Sequence, residues 1–308
     1  MKTKTFVIEE NEPNISTFDL FDALIKNKSQ LAIVFLLTSV ITYTSLQFIP
    51  NKYTAETLLV VNELSTKPKE DPFSLIPGIG SQINNPLEVK AKALLTSKSF
   101  FMDFVDRRKI VIPLIESRGW DESENIIFTN FGDYSIPFNS EAKNDSNMEY
   151  LQDNKIMHAA YIEWRKNILK VKSDPLTGFY TVSITHHSPN FSKNVVDWLV
   201  EDINNSMREL EINQSNRALE TLEAELANNI LPDMKNVISS LIRENMQRKT
   251  LASSTEDYIF TILDPAYKPE FKSSPKRLLI LIATLFLVFS IHSLFILFKF
   301  FKLRKSNE

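Results

Sequence analysis

LAIVFLLTSVITYTSLQFI, residues 31–49, and LLILIATLFLVFSIHSLFILF, residues 278–298, decide how the rest of this chain is read. The first run carries no charged residue, and the only ionisable group in the second is His292. As helices rising about 1.5 Å per residue, each reaches roughly 30 Å, the depth of a bilayer's hydrocarbon core. A core helix of a soluble protein usually carries a polar face, and neither run has one. A secretory signal opens on a short basic region and closes at small residues. Here Glu9, Glu10, Glu12, Asp19 and Asp22 precede the first run, and no A-x-A-like site follows it. Two transmembrane helices are therefore predicted, with residues 50–277 as one loop between them.

An even number of spans puts both termini on one side. Lys26, Lys28, Lys299, Lys302, Arg304 and Lys305 flank the spans on the tail side, against Lys52, Lys268, Lys272, Lys276 and Arg277 on the loop side. Charge alone is close to a tie. A loop this long translocates largely regardless of its charge, so the basic tails set the expectation that residues 1–30 and 299–308 are cytoplasmic. Residues 299–308 are too few to form a signalling module, so none is expected after the second span.

The chain contains no cysteine, which excludes disulfides and thiolate metal sites. An exported loop without disulfides must be held by its own core or by oligomerisation, and residues 50–277 suffice for one or two domains. Net charge is −3, and no basic stretch in the loop points to nucleic acid. The five glycines, Gly78, Gly80, Gly119, Gly132 and Gly178, assemble no phosphate-cradling motif.

Tyr53–Val61 (YTAETLLVV) reads as a strand. Leu64–Asn85, with Pro68, Pro72, Pro77, Gly78 and Gly80, reads as an irregular linker. A helix follows from Pro86, with Asn85 as its cap, and a second lies around Phe100–Arg107. Gly119–Tyr150 is polar and acidic and reads as a surface excursion with little regular structure. Ala159–Asn167 reads as a short helix. Ile168–Lys172 and Phe179–Thr185 read as strands, joined through Asp174-Pro175-Leu176-Thr177-Gly178 as a hairpin.

Ser188-Pro189 opens the most regular stretch. Phe191, Val195, Leu199, Ile203, Met207 and Leu210 recur every three or four residues, and Leu219, Leu222, Leu226, Ile230, Met234, Ile238 and Leu241 continue the pattern. The spacing makes an apolar stripe on a helix over about 190–257, roughly 100 Å long if unbroken. Two arrangements suit it. The helix either bends back at Asn228-Asn229 or Pro232, or projects and packs beside copies of itself; the persistence of the stripe favours projection. The fold class is thus an α+β membrane protein: two transmembrane helices flank an α/β base, about 50–188 and 258–277, that carries a long extended helix.

Catalytic chemistry has no foothold in these patterns. No H-E-x-x-H, G-x-S-x-G or carboxylate-rich metal loop occurs. His186-His187 end a predicted strand, where neighbouring side chains point to opposite faces, so a surface or strand-end role fits them better than chelation. Glu201/Asp202 and Glu223/Glu225 read as the solvated face of the long helix. No catalytic, cofactor-binding or metal site is expected. His292 within a span either packs as a neutral ring or hydrogen-bonds across a helix contact.

Several segments together resemble one family, the Wzz-type chain-length determinants or polysaccharide co-polymerases of Gram-negative inner membranes. Tyr53–Val61 is similar to that family's opening strand. DPLTGFYTVSIT (Asp174–Thr185) and SPNFSKNVVDWLVEDIN (Ser188–Asn204) resemble its second conserved stretch, and LETLEAEL (Leu219–Leu226) and VISSLIR (Val237–Arg243) its long helix. The most specific match is YIFTILDPAYKPEFKSSPKR (Tyr258–Arg277), a strand followed by Pro265, Pro269 and Pro275 where the family places prolines before its second span. The resemblance implies a non-enzymatic protein whose 50–277 segment is periplasmic. It implies rings of identical subunits and control of the length of a lipid-linked polysaccharide, most commonly lipopolysaccharide O-antigen, made by a separate Wzy-type polymerase. The family often carries glycines in the second span, and Leu278–Phe298 has none; Ala283, Ser290 and Ser293, with His292, are the candidates for packing there. The rival reading is an inner-membrane adaptor or a co-polymerase for exopolysaccharide, capsule or enterobacterial common antigen.

Overall fold

A computed structural model describes residues 23–62, 86–130, 132–135, 154–228 and 232–306 of the chain. Helix α1 covers Lys28–Gln47 and strand β1 covers Tyr53–Val61. Three short helices follow: α2 (Pro86–Leu95), α3 (Lys98–Arg108) and α4 (Val111–Ile115). Next come β2 (Ser117–Asp121), β3 (Ile126–Thr129), β4 (Gly132–Ser135) and α5 (Asn154–Glu163), which runs into a π-helical turn at Trp164–Ile168. β5 (Leu169–Ser173) and β6 (Tyr180–His186) precede two longer helices, α6 (Pro189–Ala227) and α7 (Pro232–Ser254). β7 (Phe260–Asp264) and α8 (Arg277–Ser306) complete the order. The linker expected over 64–85, the cap at Asn85 and residues 136–150 of the polar excursion lie outside the described residues. Two compact units result, one of residues 50–274 and one made by the segments on either side of it.

The larger unit is built on an antiparallel sheet ordered β5-β6-β1-β7. Tyr53 lies opposite His186 and Leu59 opposite Tyr180, while Leu59 also faces Ile262 next to a bulge at Leu58/Leu59. Along β1 the residues Ala55, Thr57 and Leu59 are buried and Glu56 is exposed, the alternation of a strand with one covered face. The β5–β6 turn is closed by Asp174. Its carboxylate accepts from the Leu176 amide at 2.9 Å and the Thr177 hydroxyl at 2.9 Å, and Gly178 takes the positive φ of 70° that the turn requires.

The first half of α6 covers the sheet. Phe191, Val195, Leu199, Ile203 and Met207 repeat every fourth residue, and all are buried. Ser188 caps the helix by accepting from the Phe191 amide at 3.2 Å, and Pro189 takes the first turn, where its missing N–H leaves no bond unmade. Phe101 and Phe104 of α3 stack near Trp164, with ring centroids 5.5 and 6.0 Å apart, and extend the core beside the sheet. The two ends of the unit meet: the Lys52 amide donates to Ser274 O at 2.8 Å, and the Ser273 amide to Lys52 O at 2.9 Å.

Two expectations are corrected. The excursion from Gly119 begins with a three-stranded antiparallel sheet, β2-β3-β4. Polar residues mask it, because only Ile127 and Tyr134 are buried, and the β2–β3 turn is held by Asp121 accepting from the Ser123 amide at 2.8 Å. Over 190–257 the favoured projecting helix is not found; the other arrangement is, as two helices that separate at the expected bend. α6 ends at Ala227, and α7 starts at Pro232 and packs back along the second half of α6, burying Ile238 and Ala252. At the end of this return the Arg208 guanidinium donates to Glu256 O. Pro232 stands at the first helical position of α7 and breaks no hydrogen-bonded turn.

In the smaller unit α1 and α8 pack antiparallel. Leu31, Phe35 and Thr38 face Leu285, Phe289 and His292, and the Arg277 guanidinium donates to Gln47 Oε1 and Ile49 O, both at 3.2 Å. Both helices are long and apolar enough to cross a membrane, and almost none of either is buried within the chain. Leu36, Ile41, Phe286, Leu294 and Phe298 are among the large apolar side chains left uncovered.

Candidate functional site

The groups with functional potential fall at four places: the proline segment after β7, the apolar helix pair, the polar joints around α6, and the α6–α7 hairpin. Pro265 directly follows β7 and is exposed, and Pro269 is half-buried. Pro275 stands two residues before α8, where the Arg277 amide donates to Pro275 O at 2.9 Å. Proline fixes φ and removes a donor, so residues 265–274 stay out of helix. Ala266 is buried in the core, and the segment is tied down where Ser273 and Ser274 pair with Lys52 and the Thr54 hydroxyl of β1 donates to Ser273 Oγ at 2.8 Å.

Of the four candidate packing residues in the second apolar helix, His292 is brought against α1. Ala283 is exposed, and Ser290 Oγ donates to its own helix at Phe286 O, 2.8 Å away. Among the described residues, His292 Nε2 and Ser293 Oγ are buried without a hydrogen-bond partner.

Three polar joints went unread in the sequence. Asp202, taken as part of a solvated face, is 1% exposed. It binds the guanidinium of Arg108 on α3 at 2.5 Å and that of Arg107 at 3.6 Å; Glu201 Oε2 takes the same Arg108 at 2.7 Å, which lies 5.8 Å over the Trp198 ring. Asn204 bridges α6 to β7: its Oδ1 accepts from the amides of Ile259 and Phe260 at 3.0 and 2.9 Å, and its Nδ2 donates to Phe260 O at 2.9 Å. The one sequence signal for it was a polar residue at a position between Val200 and Met207, on the buried stripe.

The third joint is the histidine pair, which is not at the surface. His186 is buried and His187 partly so. The Ser188 amide can only donate and Pro113 O can only accept, so His186 is neutral, with Nδ1 accepting at 3.1 Å and Nε2 carrying the proton toward Pro113 O at 2.9 Å. Burial first, then the charge of His187 and Lys52, holds the His186 pKa down at about 3; burial and Lys52 hold that of His187 at about 4. These groups join β6, α4 and the start of α6, and His187 Nδ1 lies 3.0 Å from Ser117 Oγ of β2. No cluster of three or more histidine, aspartate or glutamate side chains suited to a metal occurs among the described residues.

The hairpin differs in kind. Met234, Val237, Leu241 and Met246 of α7 are exposed, although they continue the stripe that buries Ile238. Two helices alone cannot cover apolar residues spread over more than one face.

No family model and no curated protein matches the chain. Among solved structures, it is similar to a full-length bacterial polysaccharide co-polymerase at 11% identity and a TM-score of 0.41, over 95% of this chain and 99% of that one.

Proposed function

We propose that this chain is a non-catalytic regulator of polysaccharide chain length, an oligomeric co-polymerase working beside a Wzy-type polymerase on lipid-linked O-antigen. In this reading α1 and α8 cross a Gram-negative inner membrane, residues 50–277 lie in the periplasm and both termini are cytoplasmic. The observation that carries it is the uncovered apolar surface on α7 within a unit whose two ends lead directly into apolar helices. An apolar stripe of this kind in water calls for a protein partner, and identical copies supply one at every subunit. The resemblance carried by Asp174–Asn204 and by the Tyr258–Arg277 proline series supports the same assignment.

Deleting the protein should leave polysaccharide present but broaden its length distribution on a gel. Complete loss of polymer would instead make the chain a component of export or polymerisation. Alanine at Pro265, Pro269 and Pro275 together should shift the modal length or weaken assembly while polymer is still made.

A further inference from the structure

Residues 265–277 read PAYKPEFKSSPKR and stand between the end of β7 and the start of α8. Two aromatic side chains on this segment find no cover in the fold: Tyr267 is 67% exposed and Phe271 84%. Lys268, Lys272, Lys276 and Arg277 are interleaved with them, against Glu270 as the one carboxylate. Lys268 Nζ sits 6.0 Å over the Trp120 ring, and Trp120 lies edge-on to Tyr53 at 6.1 Å, so further aromatic rings gather beside the point where the chain enters the unit. Ser273 and Ser274 pair with Lys52, which fixes this segment at the edge of the unit where the chain both arrives and leaves.

An exposed phenylalanine in water is unfavourable, whereas aromatic rings flanked by lysines match the headgroup layer of a bilayer. There the rings sit among the upper acyl carbons and the ammonium groups reach phosphate. Chain connectivity supplies the proximity, because only residues 272–276 separate Phe271 from the first residue of α8. We infer that Tyr267, Phe271 and Lys272 form an interfacial anchor that inserts into the phosphate headgroup layer of the membrane and seats the 50–274 unit on it. This inference rests on the membrane-spanning reading of α8. The proline series then has a second role. Prolines hold the segment extended, so that the rings at positions 267 and 271 are presented rather than wound into a helix.

The absence of cysteine makes the test direct, since single cysteines can be introduced and nitroxide-labelled in the full chain. The labelled positions are Phe271→Cys, Leu287→Cys within α8, and Leu176→Cys at the tip of the β5–β6 turn. Leu176 is 96% exposed and lies at the end of the sheet opposite Lys52. In vesicles of phosphatidylethanolamine and phosphatidylglycerol, the ratio of oxygen to nickel-complex collisions should be highest at position 287. At position 271 it should stand several-fold above that at position 176, and Lys272→Gln should lower it. A ratio at 271 equal to that at 176, with 287 still deep, overturns the anchor and leaves the spans intact. A nickel-accessible label at 287 overturns the spanning reading and the anchor with it. Phe271 is exposed and outside regular structure, so its replacement leaves the fold unaltered.

Discussion

The two halves of α6 belong to one continuous helix and live in different surroundings. From Phe191 to Met207 the stripe of Phe191, Val195, Leu199, Ile203 and Met207 is fully enclosed against the sheet, and even the polar Asp202 and Asn204 are buried and bonded. Beyond Glu211 and Ser215 the helix packs, among the described residues, against α7, and Leu219, Leu222 and Leu226 are half-covered while α7 turns Val237 and Leu241 outward. The difference separates two kinds of information in a sequence. The first half encodes a core that a single chain can complete, and the second encodes a surface that it cannot.

The largest losses of stability are expected in the first half. Phe191→Ala removes a ring from the centre of the core and should lower stability by about 4 kcal/mol, measured as unfolding of the full chain in detergent. Asp202→Ala removes the buried partner of Arg108, leaving it to the exposed Glu201, and should cost about 2.5 kcal/mol by the same measurement. Asn204→Ala leaves strand-end amides of Ile259 and Phe260 unpaired in the interior and should cost about 2 kcal/mol. If these variants unfold no earlier than Leu241→Ser, whose effect should stay below about 0.5 kcal/mol, the contrast between the halves is wrong.

The histidine joint sharpens the same contrast through pH. In the unfolded chain both rings take up a proton near 6.5, whereas in the fold they refuse it until about 4 for His187 and about 3 for His186. Between these limits the unfolded state binds more protons, so stability falls as pH drops from 6.5. The slope is about 1.4 kcal/mol per pH unit for each histidine. A melting temperature that declines steadily over this window, and less steeply in His187→Gln, is the expected outcome. A flat profile would mean that the pair is open to solvent.

How far the sequence could be read follows this division. β1, β5 and β6 were legible to within a residue because alternation and an Asp-Pro…Gly turn report on a strand with one buried face. The start of α6 was legible from Ser188-Pro189. The place of the break was legible from Asn228-Asn229 and Pro232, but the choice of bending over projection was not, because in a hairpin each helix turns its stripe toward the other, and the stripe therefore keeps the period of one longer helix. Asp202 was unreadable because what buries it, Arg108, lies on α3, 94 residues away. The β2-β3-β4 sheet was hidden by polar residues on its exposed face. The uncovered positions of α7 could be read only once Ile238 was seen to use one side of the helix.

The proposed assembly takes the second half of α6 and the exposed side of α7, with Met234, Val237, Leu241 and Met246, as the contact between identical subunits. Native mass measurement of the full chain, extracted with its lipids, tests it directly. The wild type should run as a closed multi-subunit assembly, and Val237→Asp with Leu241→Asp should drop to small species with an unchanged circular dichroism spectrum. A wild type that is monomeric at moderate concentration, or a double variant that keeps the full assembly, would contradict the account.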